Sequence, residues 1–416
     1  MWDSEHMNIL FVSLVNISSI RDHSLYPDLL RQFVKHGHRV VVMSPVERLA
    51  PQECRVIKEP HVRIVRFETG RIQKTSVIEK GINTVLIEPR LTAAIRKYCS
   101  RIHFNLVLYP TPPITVAGAV AYVRKRDHAK TYLLLKDIFP QNAVDIGMLQ
   151  TDGPKGILYR YFRGKEKQLY RISDYIGCMS EANVKYLLRH NPELNPNTIE
   201  ACPNAVEPVD MSVDAETRNE LRKKYDIPTD KRVFIYGGNL GKPQDIPFII
   251  ECLKKAEADE RLANAFFLIV GSGTEAHLLD EYVKREHPTR VKVLPGLPKE
   301  DYDRLAGSCD VGLIFLDHRF TIPNFPSRLL SYMQAHLPVF AVTDKNTDIG
   351  KVIESVGIGW WCESRDADAV VRKLEQIHEA TDLESKGNRA WEYLLERYDV
   401  GDAYRIIMRH LAEVKE

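Results

Sequence analysis

The chain has 416 residues, 44% hydrophobic and 27% charged, the composition of a soluble globular protein too long for one ordinary core, so two domains are expected. Its seven cysteines, at 54, 99, 178, 202, 252, 309 and 362, include no C-x-x-C pair, which excludes a disulfide framework or a zinc site and fits a reducing cytosol. The net charge of +2 divides unevenly: residues 1–200 hold 29 Lys+Arg and 19 Asp+Glu (+10), and the other 216 hold 29 and 37 (−8).

In chain order, residues 1–13 contain no apolar signal core, and Met7 is the expected natural start, with 1–6 an expression remnant. A strand over 7–15 precedes a helix ended by Gly37, and 38–45 forms the next strand. Further strands are expected at 63–67, 106–110, 131–140 and 175–180, with helices near 85–101, 114–126, 155–171 and 181–190. Short apolar strands alternating with helices predict a parallel sheet covered on both faces. The longest uncharged run, 105–123, holds three prolines in its first half and reads as strand, loop and helix, not as a membrane span. A linker over 200–214 leads into a second set of strands at 232–241, 265–273, 291–297, 311–316 and 338–343. The last segment, 395–416, reads as an amphipathic helix able to pack back on the first domain. Two doubly wound halves place a ligand at the strands' C-terminal ends.

Three features of the second half are suited to an anion. "YGGNLGKPQD" (236–245) runs from a strand through Gly237 and Gly238 towards a helix, with Lys242 adding charge, and "VGSGTE" (270–275) repeats the pattern at Gly271. Neither has the G-x-G-x-x-G or G-x-x-x-x-G-K-[ST] spacing. The third is "FPSRLLSYMQAHLPVF" (325–340), where Ser327 and Arg328 open an otherwise uncharged helix stopped by Pro338. A cation there opposes the helix dipole unless an anion sits beside it, and an arginine fork matches a phosphate. Together the three point to a diphosphate.

In the first half, "LLLKDIFPQN" ends a strand with Lys136 and Asp137, and the loop "SSIRDHS" clusters Arg21, Asp22 and His23. Loop residues at strand ends are acid–base and substrate-binding candidates. The triplets Asp301/Asp303 and Asp366/Asp368 are expected to cap helices and not to bind metal. The helix 155–173 interleaves Leu158, Tyr159, Tyr161, Phe162, Leu169 and Tyr170 with Lys155, Arg160, Arg163, Lys165, Lys167 and Arg171, a pattern that can lie on an anionic bilayer. No stacking platform accompanies the charge, so nucleic acid is not an expected partner.

The segments "LLLKDIFPQNAVDIGML", "YRISDYIGCMS", "YGGNLGKPQD", "TIPNFPSRLLSYMQAHLPVFA", "TDIGKVI" and "GWWCES" carry a resemblance over nearly the whole chain. The sequence resembles bacterial family 4 glycosyltransferases, retaining enzymes of GT-B fold, and within them the capsule and O-antigen enzymes that transfer N-acetyl-L-fucosamine. The resemblance implies two Rossmann-like domains facing a central cleft: an acceptor-binding domain at 1–205 and a nucleotide-sugar domain at 206–394, with 395–416 crossing back. It implies a hexosyltransferase (EC 2.4) taking a UDP-sugar, with no cofactor or metal. The diphosphate would meet Gly237, Gly238 and Arg328, with Lys242 adding positive charge, and the base the region of Gly271, Gly296, Leu297 and Leu305; Asn239, Asn324 and Ser327 complete the expected donor-binding set. The acceptor, an undecaprenyl-diphosphate-linked sugar at the inner face of the plasma membrane, would meet Arg21, Asp22 and Lys136. Front-face attack, with the leaving phosphate helping to deprotonate the acceptor, makes Asp137 and His23 the catalytic candidates.

Some positions depart from the family pattern. Ser331 stands where a glutamate would bind the ribose, Pro323 and Asn324 where its partner glutamate falls, and Asn239 and Gln244 where an Arg and a Lys line the glycine turn. Two alternatives remain: a UDP-sugar 2-epimerase, for which Asp317 and His318 are the available pair, and a non-catalytic scaffold of a polysaccharide assembly complex.

Overall fold

The computed structural model describes residues 6–48, 55–70, 77–153 and 156–412. Within it the chain forms two compact units, Met1–Glu207 with Val400–Glu416, and Pro208–Asp399.

The first unit is built on eight strands: β1 (Asn8–Val12), β2 (Arg39–Val46), β3 (Val56–Glu59), β4 (Val62–Glu68), β5 (Leu106–Pro110), β6 (Lys130–Leu135), β7 (Tyr175–Cys178) and β8 (Ile199–Ala201). Their order is β3-β4-β2-β1-β5-β6-β7-β8, all parallel except the β3–β4 pair. Central strands such as "LVLYP" are buried along their whole length, as expected for a sheet covered on both faces. β3 and β8 were not anticipated: β3 is an edge strand whose burial never falls to core level, so it carries no apolar run to betray it. The helix expected over 395–416 begins at Val400 and runs to Ala412, and a break at Tyr398 and Asp399 separates it from a preceding helix, Leu383–Arg397, that was not anticipated. Only the later of the two enters the first unit's core, where Val400, Ala403, Tyr404 and Ile407 pack with Phe33 and Leu30. Tyr404 Oη lies 3.0 Å from His38 Nε2.

The second unit has β9 (Arg232–Asn239), β10 (Ala265–Ser272), β11 (Val291–Pro295), β12 (Val311–Phe315), β13 (Val339–Thr343) and β14 (Gly359–Glu363). The order β11-β10-β9-β12-β13-β14, parallel throughout, is that of a doubly wound dinucleotide-type sheet. The strand order, not the strand direction, reverses between β9 and β12, so the tip of β9 at Gly237–Asn239 is the topological switch point where ligands of such sheets bind. Phe234, Tyr236, Ile269, Leu313 and Phe340 form the core beneath it. No helix among the described residues is long and apolar enough to cross a membrane. The six described cysteines are free, and Cys54 lies outside the described residues.

Candidate functional site

At the β9 tip the glycines are explained by what they admit. Gly238 has φ +125°, a conformation that strains any L side chain, and a Cβ on it would come within 2.7 Å of Arg328 Nη2. A Cβ on Gly237 would strike the Tyr302 hydroxyl at 2.0 Å, and one on Gly271 the Gly238 carbonyl at 2.1 Å. The expected cradle of backbone donors is mostly committed elsewhere. Gly237 N–H donates to Tyr332 Oη (3.3 Å), Leu240 N–H to Ser272 O (2.9 Å) and Gly241 N–H to Gln244 Oε1 (3.3 Å). Positive charge at the tip therefore resides in side chains.

Arg328 opens a seven-residue helix, Arg328–Gln334, preceded by Ser327, which is exposed and makes no capping bond. So short a helix has a small dipole, and the electrostatic conflict expected from the sequence is slight. What distinguishes Arg328 is its surroundings. The residue is half-buried, its charged end is desolvated, and its Cζ sits 4.3 Å above the centre of the Tyr236 ring. Tyr302 and Tyr332 flank it, and no carboxylate pairs with it among the described residues. Lys242 is exposed on the same turn. Asn239 Nδ2 donates to Gln244 Oε1 (2.8 Å), so the two positions where the family pattern carries cations here brace the turn instead.

The other expected donor residues distribute unequally. Gly296 is exposed just past β11, where a Cβ would lie 3.4 Å from Ser272 Oγ, and Leu297 is half-buried beside it. Leu305 is a correction: it is fully buried, so no surface ligand touches it. The Asn324 carbonyl accepts from Thr347 Oγ1 and ties the loop before Arg328 to the segment after β13. Asp317, at the end of β12, is fully buried and accepts from Arg319 N–H (2.9 Å), Nε (3.0 Å) and Nη2 (2.5 Å). It is ion-paired with Arg319, and His318 Nδ1 lies 3.6 Å from its Oδ1. Asp366 caps its helix through Asp368 N–H (2.9 Å) and Ala369 N–H (3.1 Å). Asp303 does not cap: Pro298 holds that place, and buried Asp303 binds Lys299 one turn back.

In the first unit Asp137 follows β6. Its Oδ2 accepts from Asn142 Nδ2 (2.7 Å), its carbonyl accepts from Thr111 Oγ1 (3.0 Å), and burial pushes its carboxyl up to about 6. Lys136 was expected at the acceptor but points inward. Nζ donates to Cys202 O (3.0 Å), burial lowers its pKa, and it lines a cavity of about 20 Å³ with Tyr26 and Asn204, room for about one water. Arg21, Asp22 and His23 are exposed. His23 Nδ1 lies 3.2 Å from Arg31 Nη2, while Arg31 also binds Asp28, Glu207 (3.0 Å) and the Asp22 carbonyl (2.8 Å). No hydrogen bond or ion pair joins His23 to Asp137 among the described residues.

The basic helix is Gly156–Ile172, and Lys155 lies outside the described residues. Leu169 and Tyr170 are core, and Arg163, Lys165 and Lys167 pair with Glu166, Glu88 and Glu193. Among the described residues the outward apolar surface is formed by Ile157, Leu158 and Tyr161, 62%, 48% and 41% exposed, with Met148 at 61% in the preceding loop. Arg160 and Arg171 are exposed beside it.

Two Rossmann-like units, each with a polar site at the C-terminal edge of a parallel sheet, define the GT-B class of glycosyltransferases. Residues 217–390 match the family model for glycosyl transferases group 1. The chain is 27% identical over 357 residues, 84% of each protein, to the probable glycosyltransferase WbjE of Pseudomonas aeruginosa. It is 25% identical, over 64% of each chain, to WcaI of Escherichia coli (strain K12), a putative colanic acid biosynthesis glycosyl transferase. Anabaena HepE, crystallised in complex with UDP, shares the fold with a TM-score of 0.69 at 14% identity, over 98% of this chain and 100% of that one. Sucrose-phosphate synthase of Thermosynechococcus elongatus does so with a TM-score of 0.74 at 13% identity, over 98% and 99%. The protein is a glycosyltransferase, and the residues that match the group 1 model lie within its second unit.

Sequence reasoning missed Tyr236, Tyr302 and Tyr332. Tyr302 lies 65 residues beyond Gly237, and no local spacing links them.

Proposed function

We propose that the enzyme transfers an N-acetylated amino or deoxy sugar, N-acetyl-L-fucosamine fitting best, from its UDP derivative to an undecaprenyl-diphosphate-linked sugar, with retention of configuration, in capsule or O-antigen assembly. The observation that carries the donor half is Arg328: a desolvated guanidinium at the sheet's switch point, stacked on the Tyr236 ring and with no carboxylate partner among the described residues. A UDP-sugar diphosphate supplies the missing anion. The sugar and acceptor rest on the resemblance of the quoted segments, and the polysaccharide setting is supported by the colanic acid role in the name of WcaI.

In the reaction, the bond from the anomeric carbon to the diphosphate oxygen breaks while the acceptor hydroxyl attacks from the same face and passes its proton to the leaving phosphate. Arg328 and Lys242 stabilise the charge that develops on the departing UDP. Asp137 or His23 orients the acceptor hydroxyl. With two side-chain cations on the diphosphate, the chemistry needs no metal, so activity should survive EDTA. The apolar tip Ile157/Leu158/Tyr161 with Arg160 and Arg171 would rest on the anionic inner face of the plasma membrane, where a lipid-linked acceptor resides.

A thermal-shift panel of UDP, GDP and dTDP sugars tests the donor. A UDP ligand at 100 times its Kd stabilises the fold by about 2.7 kcal/mol. No response to any UDP compound sinks the donor claim. Donor consumption with and without a lipid-linked acceptor then separates transfer from hydrolysis and from a non-catalytic role.

A further inference from the structure

A buried arginine is usually held by a carboxylate, which fixes its position and neutralises it. Arg328 is fixed differently. The ring of Tyr236, itself fully buried in the core, lies under the guanidinium, with Cζ 4.3 Å from the ring centre. Tyr236 is locked in turn, its hydroxyl donating to the Asn239 carbonyl at 2.7 Å. Gly238 also closes up to the guanidinium: a Cβ there would lie 2.7 Å from Arg328 Nη2. An aromatic face attracts a cation through its quadrupole but accepts none of the in-plane N–H donors and carries no charge to cancel. A guanidinium held this way keeps its charge, and the Tyr236 hydroxyl, to which it also donates, takes only part of its donor fork, leaving the rest for a ligand. A carboxylate in the same place would compete with phosphate for both.

We propose that Tyr236 is the positioning residue for the donor diphosphate, its ring aiming Arg328 while leaving the cation unneutralised. This rests on the UDP-sugar reading and adds to it. It also explains why Gly238 follows Tyr236 two residues along the same strand. Alternate residues of a strand share a face, so ring and glycine both meet one guanidinium.

The test uses the full-length enzyme and compares UDP with uridine, because only UDP engages the cation. Tyr236→Leu should weaken UDP about tenfold and leave uridine unchanged, while Tyr236→Phe, which keeps the ring, stays within about twofold of wild type. Should Tyr236→Leu fail to fold, phenylalanine and a ring-fluorinated phenylalanine at 236 make the comparison at nearly constant size. Fluorination drains the ring face and should weaken UDP in step, with uridine again unaffected. Equal UDP affinity for the plain and fluorinated rings overturns the proposal. So does a loss in Tyr236→Phe as large as in Tyr236→Leu, which would assign the effect to the bond to Asn239. If wild type binds neither UDP nor any UDP-sugar, the donor reading falls first and this role falls with it.

Discussion

Replacing Arg328 with methionine should move ligand binding and stability in opposite directions. Methionine keeps most of the length of the side chain and removes the charge. Hydrogen bonds to a charged group contribute roughly 1.5–3 kcal/mol, so UDP should bind about 10- to 100-fold more weakly, while uridine binds as before. In the ligand-free enzyme the same cation is a burden. Its charged end is desolvated with no carboxylate beside it among the described residues, a penalty on the order of a few kcal/mol for a buried ion. Stacking on Tyr236 offsets up to about 2 kcal/mol of this, and the residue's partial exposure reduces the remainder. A net gain of about 1 kcal/mol should raise the melting temperature of the second unit by about 2–4 °C. Calorimetric melting with and without UDP, together with titration of UDP and uridine, measures both halves. A variant that melts lower than wild type yet binds UDP normally would show Arg328 to be an ordinary structural cation, and the site would have to be sought elsewhere.

Asp137→Asn should stabilise the protein in a pH-dependent way. Burial pushes the carboxyl up to about 6, whereas an unfolded Asp titrates near 3.9. The folded state therefore holds the proton more tightly, and the penalty is absent below about pH 4, grows between about pH 4 and 6, and is complete above. The variant should gain about 2 kcal/mol at pH 7.5 and nothing at pH 4, and equal gains at both would contradict the assignment. Gly238→Ala places a Cβ 2.7 Å from Arg328 Nη2 in a backbone with φ +125°, which should cost about 1–3 kcal/mol of stability and weaken UDP along with it. Normal UDP affinity in a folded Gly238→Ala protein would count against the packed glycine tip. The triple change Ile157→Ser, Leu158→Ser and Tyr161→Ser should cut partitioning onto anionic vesicles by at least about tenfold without altering transfer to a soluble acceptor. Unchanged vesicle binding would place the membrane contact elsewhere.

Much of the fold was legible because it follows from local patterning. Runs such as "LVLYP" and "AFFLIVGS" are too short and too uniformly apolar for anything but strands covered on both faces, and Gly37 and Pro338 punctuate their segments as written. Edge strand β3 escaped because it has no apolar run. The break at Tyr398–Asp399 escaped because amphipathic periodicity continues on both sides of it.

The sequence alone determined the two parallel-sheet units and singled out Arg328 as a cation wanting an anion, since hydrophobic period and charge are properties of neighbouring residues. Only the tertiary structure decided how that cation is held. It brought Tyr236, Tyr302 and Tyr332 from three elements around it and turned Lys136 and Leu305 inward. It also showed Gly237 and Gly238 to be space for side chains, with the Gly237 N–H spent on Tyr332. Ring faces, burial and the commitment of backbone donors depend on what packs from far along the chain, and no local spacing encodes them.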